Sequence, residues 1–308
     1  MNHPTSRPPI PPVLGILIGV VAVSFAAIFI RYASAEGAPA LAIAAWRLTL
    51  ASLLLVAPAW VQARGELSGL TRREILMGLL SGAFLAAHFA TWISSLELTS
   101  VASSVALVTM YPLFAAVASA LWLRERLRPI GWAGVVLSVV GSILVALTDA
   151  GAAGRDSLLG DALALVGAVT GAGYFLLGRE LRRRLSLMAY ISLTYGTAAV
   201  VLVLVALVAR VPLLGYEPTV YGLFFLLAAV PQLVGHTSFN WALRYLSATF
   251  VTVTVVGEPI GATIWAFLLF GERPSGLKAL AGALILVGIV LTSRGEAGGS
   301  VSERKTKD

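Results

Sequence analysis

Ten apolar stretches follow one another through almost the whole chain, each close to the roughly 20 residues that cross a bilayer as a helix. They run at about 13–33, 41–61, 74–96, 100–122, 129–147, 158–178, 187–208, 219–243, 247–270 and 275–293. Short polar marks such as RGELSGLTRRE, RERLRP and GRELRRRLS separate them. In hydrocarbon every backbone N–H and C=O must be satisfied within the segment, so such a chain folds as a bundle of membrane helices. Charged residues are 12% of the 308, against about a quarter in soluble domains, and the fold class expected is an all-α integral membrane protein. The Pro-rich lead 1–12, MNHPTSRPPIPP, enters the first stretch without a small-residue cleavage site, so that span is read as retained. The tail 294–308 is polar enough to be expected as a disordered, cytoplasmic end.

Basic residues set the expected orientation. With the N-terminus inside, sixteen Lys and Arg fall on the cytoplasmic side and five outside, leaving Arg47 within the second span. The positive-inside rule then puts both termini in the cytoplasm of a bacterial-type inner membrane. The same scatter argues against nucleic acid as a partner, because the net charge of +7 lies in separate loops and not in one basic groove.

Shifting the chain by 147 residues lays SVASSVALVTMYPLFAAVASALWLRER (100–126) on SATFVTVTVVGEPIGATIWAFLLFGER (247–273). Pro112 meets Pro259, Glu125 meets Glu272 and Gly141 meets Gly288. With one further residue of offset His88 meets His236, Gly19 meets Gly167 and Arg31 meets Arg179. The ten spans therefore read as two repeats of five, 13–147 and 158–293. Five is odd, so the second copy crosses the membrane in the opposite sense to the first. Inverted-topology repeats mark secondary transporters, whose substrate site lies near the midplane between the halves. Pro112 and Pro259 each remove a backbone donor and are read as paired hinges.

The segment GEPIGATIWAFLLFGERP with GLKALAGALILVGIVLTS resembles the second half of EamA-type proteins of the drug/metabolite transporter superfamily. FAAIFIRYASAEGAPALAIAAWRL and MYPLFAAVASALWLRERL resemble the first half, so the likeness covers residues 13–293. Length and layout are most similar to bacterial YddG-type exporters of aromatic amino acids. The resemblance implies export of small metabolites by alternating access. One departure is the absence of a Trp in the first span, where Ser24 and Phe25 stand.

Candidate site residues are the polar and aromatic side chains that a bilayer makes expensive or that could line a pocket. On the eighth span Gln232, His236 and Asn240 recur every four residues, one face of a helix. On the third, Ser81, Phe84, His88, Trp92 and Ser95 share a face. His88 and His236 are expected at a shared central cavity, with Trp92, Tyr111, Tyr174, Asn240, Glu258 and Trp265 around a mostly apolar amino acid. The serines and threonines of SVASSVAL and SATFVTVTV are read as helix-to-helix hydrogen bonds, and Trp60, Trp122 and Trp132 as interfacial belt. Glu258 has three open roles: holding an amino group, carrying a coupling proton, or bonding to backbone freed by Pro259. Glu125 and Glu272 are read as interfacial pairs with Arg126 and Arg273.

Other classes fit poorly. There is no Cys, no HExxH and no GxSxG, so no enzyme activity and no cofactor or metal is expected. GERPSGLK lacks the Gly-Lys-Ser/Thr ending of a phosphate loop, and no ring of charges or carbonyl filter marks a channel. A carrier of nucleotide sugars or phosphorylated metabolites would want intramembrane cations; only Arg47 qualifies, and it is read as free to snorkel outward.

Because the chain has no Cys, single cysteines report topology directly. Cysteines placed in 149–157 should react with an impermeant maleimide from outside, and those at 183 or 184 only after lysis. An odd number of crossings would sink the inverted-repeat reading.

Overall fold

The computed structural model describes residues 8–99, 101–125, 127–148, 158–270 and 275–305. Its ten helical spans are α1 (Pro12–Ala35), α2 (Ala40–Gln62), α3 (Arg72–Leu98), α4 (101–123) and α5 (Pro129–Thr148). They continue with α6 (Leu158–Arg182), α7 (Leu187–Val208), α8 (Pro218–Ala242), α9 (248–270) and α10 (Gly276–Lys305). Among the described residues nine have the length and hydropathy to cross a membrane, and the apolar part of α5, Pro129–Val145, is a shorter tenth. α10 continues past Arg294, where the polar tail begins, to Lys305. No proline interrupts that stretch, so nothing covalent ends the helix at Arg294.

Local chemistry sets the helix boundaries. α1 and α8 begin with proline in the first turn, where a missing N–H costs nothing. Thr71 and Glu74 form a capping box at α3, and Ser186 and Ser247 cap α7 and α9. α1 ends in a Schellman turn: Gly37 stands at φ 84°, Ala38 N–H donates to Ala33 O and Gly37 N–H to Ser34 O. The Glu97 carboxylate then accepts from Ala40 N–H at the start of α2 at 2.8 Å.

Helix contacts follow the sequence offset. α1 packs on α8 and α6 on α3; α2 meets α7, α4 meets α9, and α5 meets α10. Gly19 of α1 sits against the Phe239 ring and Gly167 of α6 against Thr91 and Trp92, positions related by the same 148 residues. Between α5 and α10, Gly131 faces Gly295, Gly134 faces Thr292 and Gly141 faces Ile285, so the two helices run antiparallel. A Cβ on Gly134 would lie 2.5 Å from the Thr292 backbone nitrogen. Backbone contact this close requires glycine, the small-residue mode of membrane helix association.

The two proline helices break at matched positions. α4 is helical over Val101–Val108 and again from Tyr111, and α9 over Ala248–Val255 and again from Glu258. Both breaks use the same turn: Met110 N–H donates to Leu107 O as Gly257 N–H does to Thr254 O, and Leu113 repeats in Ile260. Pro112 and Pro259 thus fall in the first turn of the second segment, and the interruption precedes them.

Several loop expectations change. Arg126 lies outside the described residues; Glu125 Oε1 accepts from Arg179 Nε of α6 at 2.9 Å and from Arg183 Nη2, just past its end, at 3.0 Å. Glu272, Arg273 and the 149–157 loop also lie outside them. Arg182, counted as a loop charge, is buried and donates from Nε to Asn240 O and from Nη1 to Leu185 O. Ser104 meets Ser95 across α3 and α4, whereas Thr252 and Thr254 bond back to carbonyls of their own helix.

The glycine contact predicts an asymmetric pair of variants. Gly134→Val should destabilise by about 1–3 kcal/mol through overpacking and lower Tm in detergent. Gly222→Ala, whose Cβ meets nothing within 4 Å, should leave Tm unchanged or slightly raised.

Candidate functional site

The α2 face made of Ala40, Ile43, Ala44, Arg47, Leu48, Ala51 and Leu55 is buried, while Leu53, Leu54, Val56 and Val61 are exposed. Arg47 therefore points into the bundle. It is 1% exposed, which overturns the snorkelling expectation: a lipid-facing route to the surface starts from the other side of the helix. Its Nε donates to Gln232 Oε1 on α8 at 2.9 Å, and its guanidinium lies 4.1 Å over the Phe89 ring of α3. A buried cation over an aromatic face gains most when water is excluded.

Gln232 and His236 sit in a π-helical stretch, Ala228–His236, that contains Pro231. A residue without N–H inside the helix invites this slip in the ladder, and such bulges recur at functional sites. The four-residue stripe survives, since four residues are slightly more than one α turn and slightly less than one π turn. Asn240 is fully buried; its amide donates to Tyr174 Oη at 2.6 Å and to Tyr195 Oη at 3.0 Å. Tyr195 also meets Thr237.

Aromatic rings link these groups. His236 stands edge-on to Phe89 with centroids 5.4 Å apart and is stacked with Phe175 at 6.5 Å. Phe175 continues to Tyr111 of α4 and to Tyr174. His88 Nδ1 lies 2.8 Å from Gly167 O. A carbonyl only accepts, so Nδ1 carries the proton and Nε2 is left as acceptor. Its ring stacks on Trp92 at 5.9 Å, and Gly171 clears the space beside it. Glu258, at the start of the second α9 segment, interacts electrostatically with both Arg47 and Tyr111. Among the described residues no contact ion pair within 4.0 Å joins Glu258 to Arg47.

Of the sequence candidates, the structure brings His236, Asn240, Tyr174 and Tyr111 into one contact network, with His88 and Trp92 joined to it through Phe89. Trp265 goes elsewhere: its Nε1 donates to Ser24 Oγ at 3.1 Å and its ring stacks on Phe25 at 4.3 Å, filling the place where α1 lacks a Trp. The sequence reading missed Arg47, Phe89, Phe175 and Tyr195 as site residues and left Gln232 out of the candidate set. The alanine-rich face of α2 was the available signal for Arg47.

Four nitrogen atoms in this region are buried without a hydrogen-bond partner: Arg47 Nη2, Gln232 Nε2, His236 Nδ1 and Trp92 Nε1. Leaving buried polar atoms unpaired costs about 1–3 kcal/mol each.

The model of the EamA-like transporter family matches residues 10–147 and again 158–294. A relative named "Probable terminal-alkyne amino-acid exporter" from Streptantibioticus cattleyicolor is 28% identical over 192 residues, covering 61% of this chain. The chain spans 62% of that relative's length. The "Uncharacterized transporter YxxF" of Bacillus subtilis (strain 168) is 22% identical over 224 residues, 72% of this chain and 71% of the relative. A solved crystal structure superposes with a TM-score of 0.74 at 20% identity, over 91% of this chain and 95% of the other, and shares the fold. Two matches that together take in nearly every span leave one conclusion: the chain belongs to the EamA-like transporter family, whose members are transporters of small molecules and not enzymes.

Proposed function

We propose that the protein is a secondary transporter that exports small metabolites, amino acids including aromatic ones, by alternating access between two inverted halves. The observation that carries the substrate class is the buried cluster of Arg47, Gln232, His236, Asn240 and Tyr174, with Glu258 at electrostatic distance from the cation. It offers one positive group, one acidic group and aromatic walls from Phe89, Tyr111 and Phe175, which suits a zwitterion with an apolar side chain. The name of the Streptantibioticus relative points the same way and supplies the direction, export. The inverted arrangement is supported by the antiparallel α5–α10 contact between equivalent helices and by the matched breaks at 109–110 and 256–257. The site would sit at the midplane of an inner membrane, with both termini cytoplasmic.

Phosphorylated metabolites fit less well. A phosphate dianion placed beside Arg47 would also meet Glu258, and like charges in a low dielectric repel strongly.

Reconstituted protein should move L-phenylalanine or a related amino acid and not a nucleotide sugar. His88→Ala, Trp92→Ala and His236→Ala should each lower transport per folded molecule by about tenfold, equivalent to ~1.4 kcal/mol. Normal transport per folded molecule in all three would remove these side chains from the site.

Glu258 is proposed to carry the coupling proton. Glu258→Gln should then abolish the response to an imposed pH gradient while a weakened substrate exchange persists. A well-folded variant with full gradient dependence would leave the carboxyl a structural role.

A further inference from the structure

The three unpartnered nitrogens on Arg47, Gln232 and His236 share one place. Arg47 and Gln232 are joined through Nε and Oε1, so Gln232 Nε2 and Arg47 Nη2 remain as donors beside that bond. The Phe89 ring covers one face of the guanidinium at 4.1 Å, which leaves its edge for an incoming group. His236 stands against the same Phe89 ring, and its Nδ1 has no partner. Arg47 is 1% exposed, Gln232 0% and His236 8%, so bulk water does not satisfy these atoms.

What would satisfy them is an acceptor with two oxygens in a plane and one negative charge. A guanidinium edge pairs with a carboxylate through parallel N–H···O bonds, the strong charge-assisted geometry. The amide N–H of Gln232 and the imidazole of His236, in its Nδ1–H tautomer, add neutral donors close to the guanidinium. Glu258 faces Arg47 electrostatically without contacting it. An α-amino acid carries both complements, a carboxylate for the cation and an ammonium for the acid.

We propose that Arg47, Gln232 and His236 form the carboxylate-binding half of an α-amino-acid subsite, with Glu258 as its ammonium-binding half. This rests on the amino-acid reading above and assigns its polar recognition to named atoms. The side chain of the guest then lies among Phe89, Phe175 and Tyr111. Arg47 is a binding residue here, and its bond to Gln232 keeps the fork oriented in the absence of a guest.

The test uses ligand-induced thermal stabilisation of the full-length protein in detergent with four probes. These are L-phenylalanine, L-phenylalaninamide, 3-phenylpropionate and phenethylamine. A ligand that binds only the folded state raises Tm with its affinity. Wild type should bind L-phenylalanine at least about tenfold tighter than its amide, a gap of ~1.4 kcal/mol. Arg47→Gln and, where that variant folds poorly, Gln232→Met should bring the ratio towards one, because both remove carboxylate donors. Glu258→Gln should weaken phenethylamine and leave 3-phenylpropionate unchanged. Equal wild-type binding of acid and amide, or a ratio untouched in both variants, overturns the assignment. Binding of 3-phenylpropionate through Arg47 without binding of L-phenylalanine would keep the carboxylate half and overturn the amino-acid reading. Binding of none of the four would overturn both.

Discussion

The bond between Arg47 Nε and Gln232 Oε1, under the Phe89 ring, is the interaction around which the bundle is arranged. Insertion of an Arg at mid-membrane costs about 2.5–3.5 kcal/mol even with snorkelling available. Here snorkelling is closed off, so neighbouring helices must supply the counter-groups. α8 gives the amide, α3 the ring, and α9 the distant carboxyl. A single buried guanidinium thus fixes which faces of three helices look inward. The π stretch of α8 belongs to the same constraint, since it brings Gln232 and His236 together on that inward face.

Around this charge the bundle is held by contacts that need no charge at all. Where helices touch most closely the residues are glycines: Gly19 on Phe239, Gly167 on Trp92, Gly134 on Thr292. Lipid tails are as apolar as the helices, so close backbone approach and not hydrophobic burial drives association. Contacts of this kind slide or rock more readily than interdigitated large side chains. Polar ties between helices occur in the interior, as at Asn240 and Tyr174, and at partly exposed positions, where Glu125 pairs with Arg179 of α6 and with Arg183 just past its end. Helices α4 and α9 also break, at 109–110 and 256–257, as α1 does at 24–25.

Much of this was legible in the sequence, and the parts that were not have physical reasons. Span positions follow from hydropathy because the solvent is uniform. The offset of 147 is visible in Pro112 and Pro259 and reappears in hydrogen bonds that no propensity scale anticipates. His236, Asn240 and Tyr174 were legible as polar or aromatic residues in a costly medium. Arg47 was legible as a residue and illegible as an orientation. Its rotation about the α2 axis is set by which face carries alanine, and that face matters only once α7 and α8 are placed against it. The stacking of Trp265 on Phe25 was illegible for a related reason, since the two lie 240 residues apart in sequence. The pairing of Glu125 with Arg179 and Arg183 likewise joins groups far apart along the chain.

The two halves share a frame and differ in chemistry. At the 148-residue offset His88 corresponds to His236, but Arg47 corresponds to Tyr195, Phe84 to Gln232, Phe89 to Thr237 and Trp92 to Asn240. The contacts correspond too: Arg47 lies over Phe89 as Tyr195 meets Thr237. At the 147-residue offset Tyr111 stands where the other half has Glu258. A frame with related halves gives two exchangeable arrangements of similar energy, because each helix pair has a counterpart. Unlike side chains at related positions do the opposite and define a direction. The positive group belongs to the first half and the acidic group to the second, so under the proposed function a zwitterion would have one favoured orientation between them. Under that proposal, exchange of the halves would turn the opening of the site from one side to the other while the guest kept its polar partners throughout.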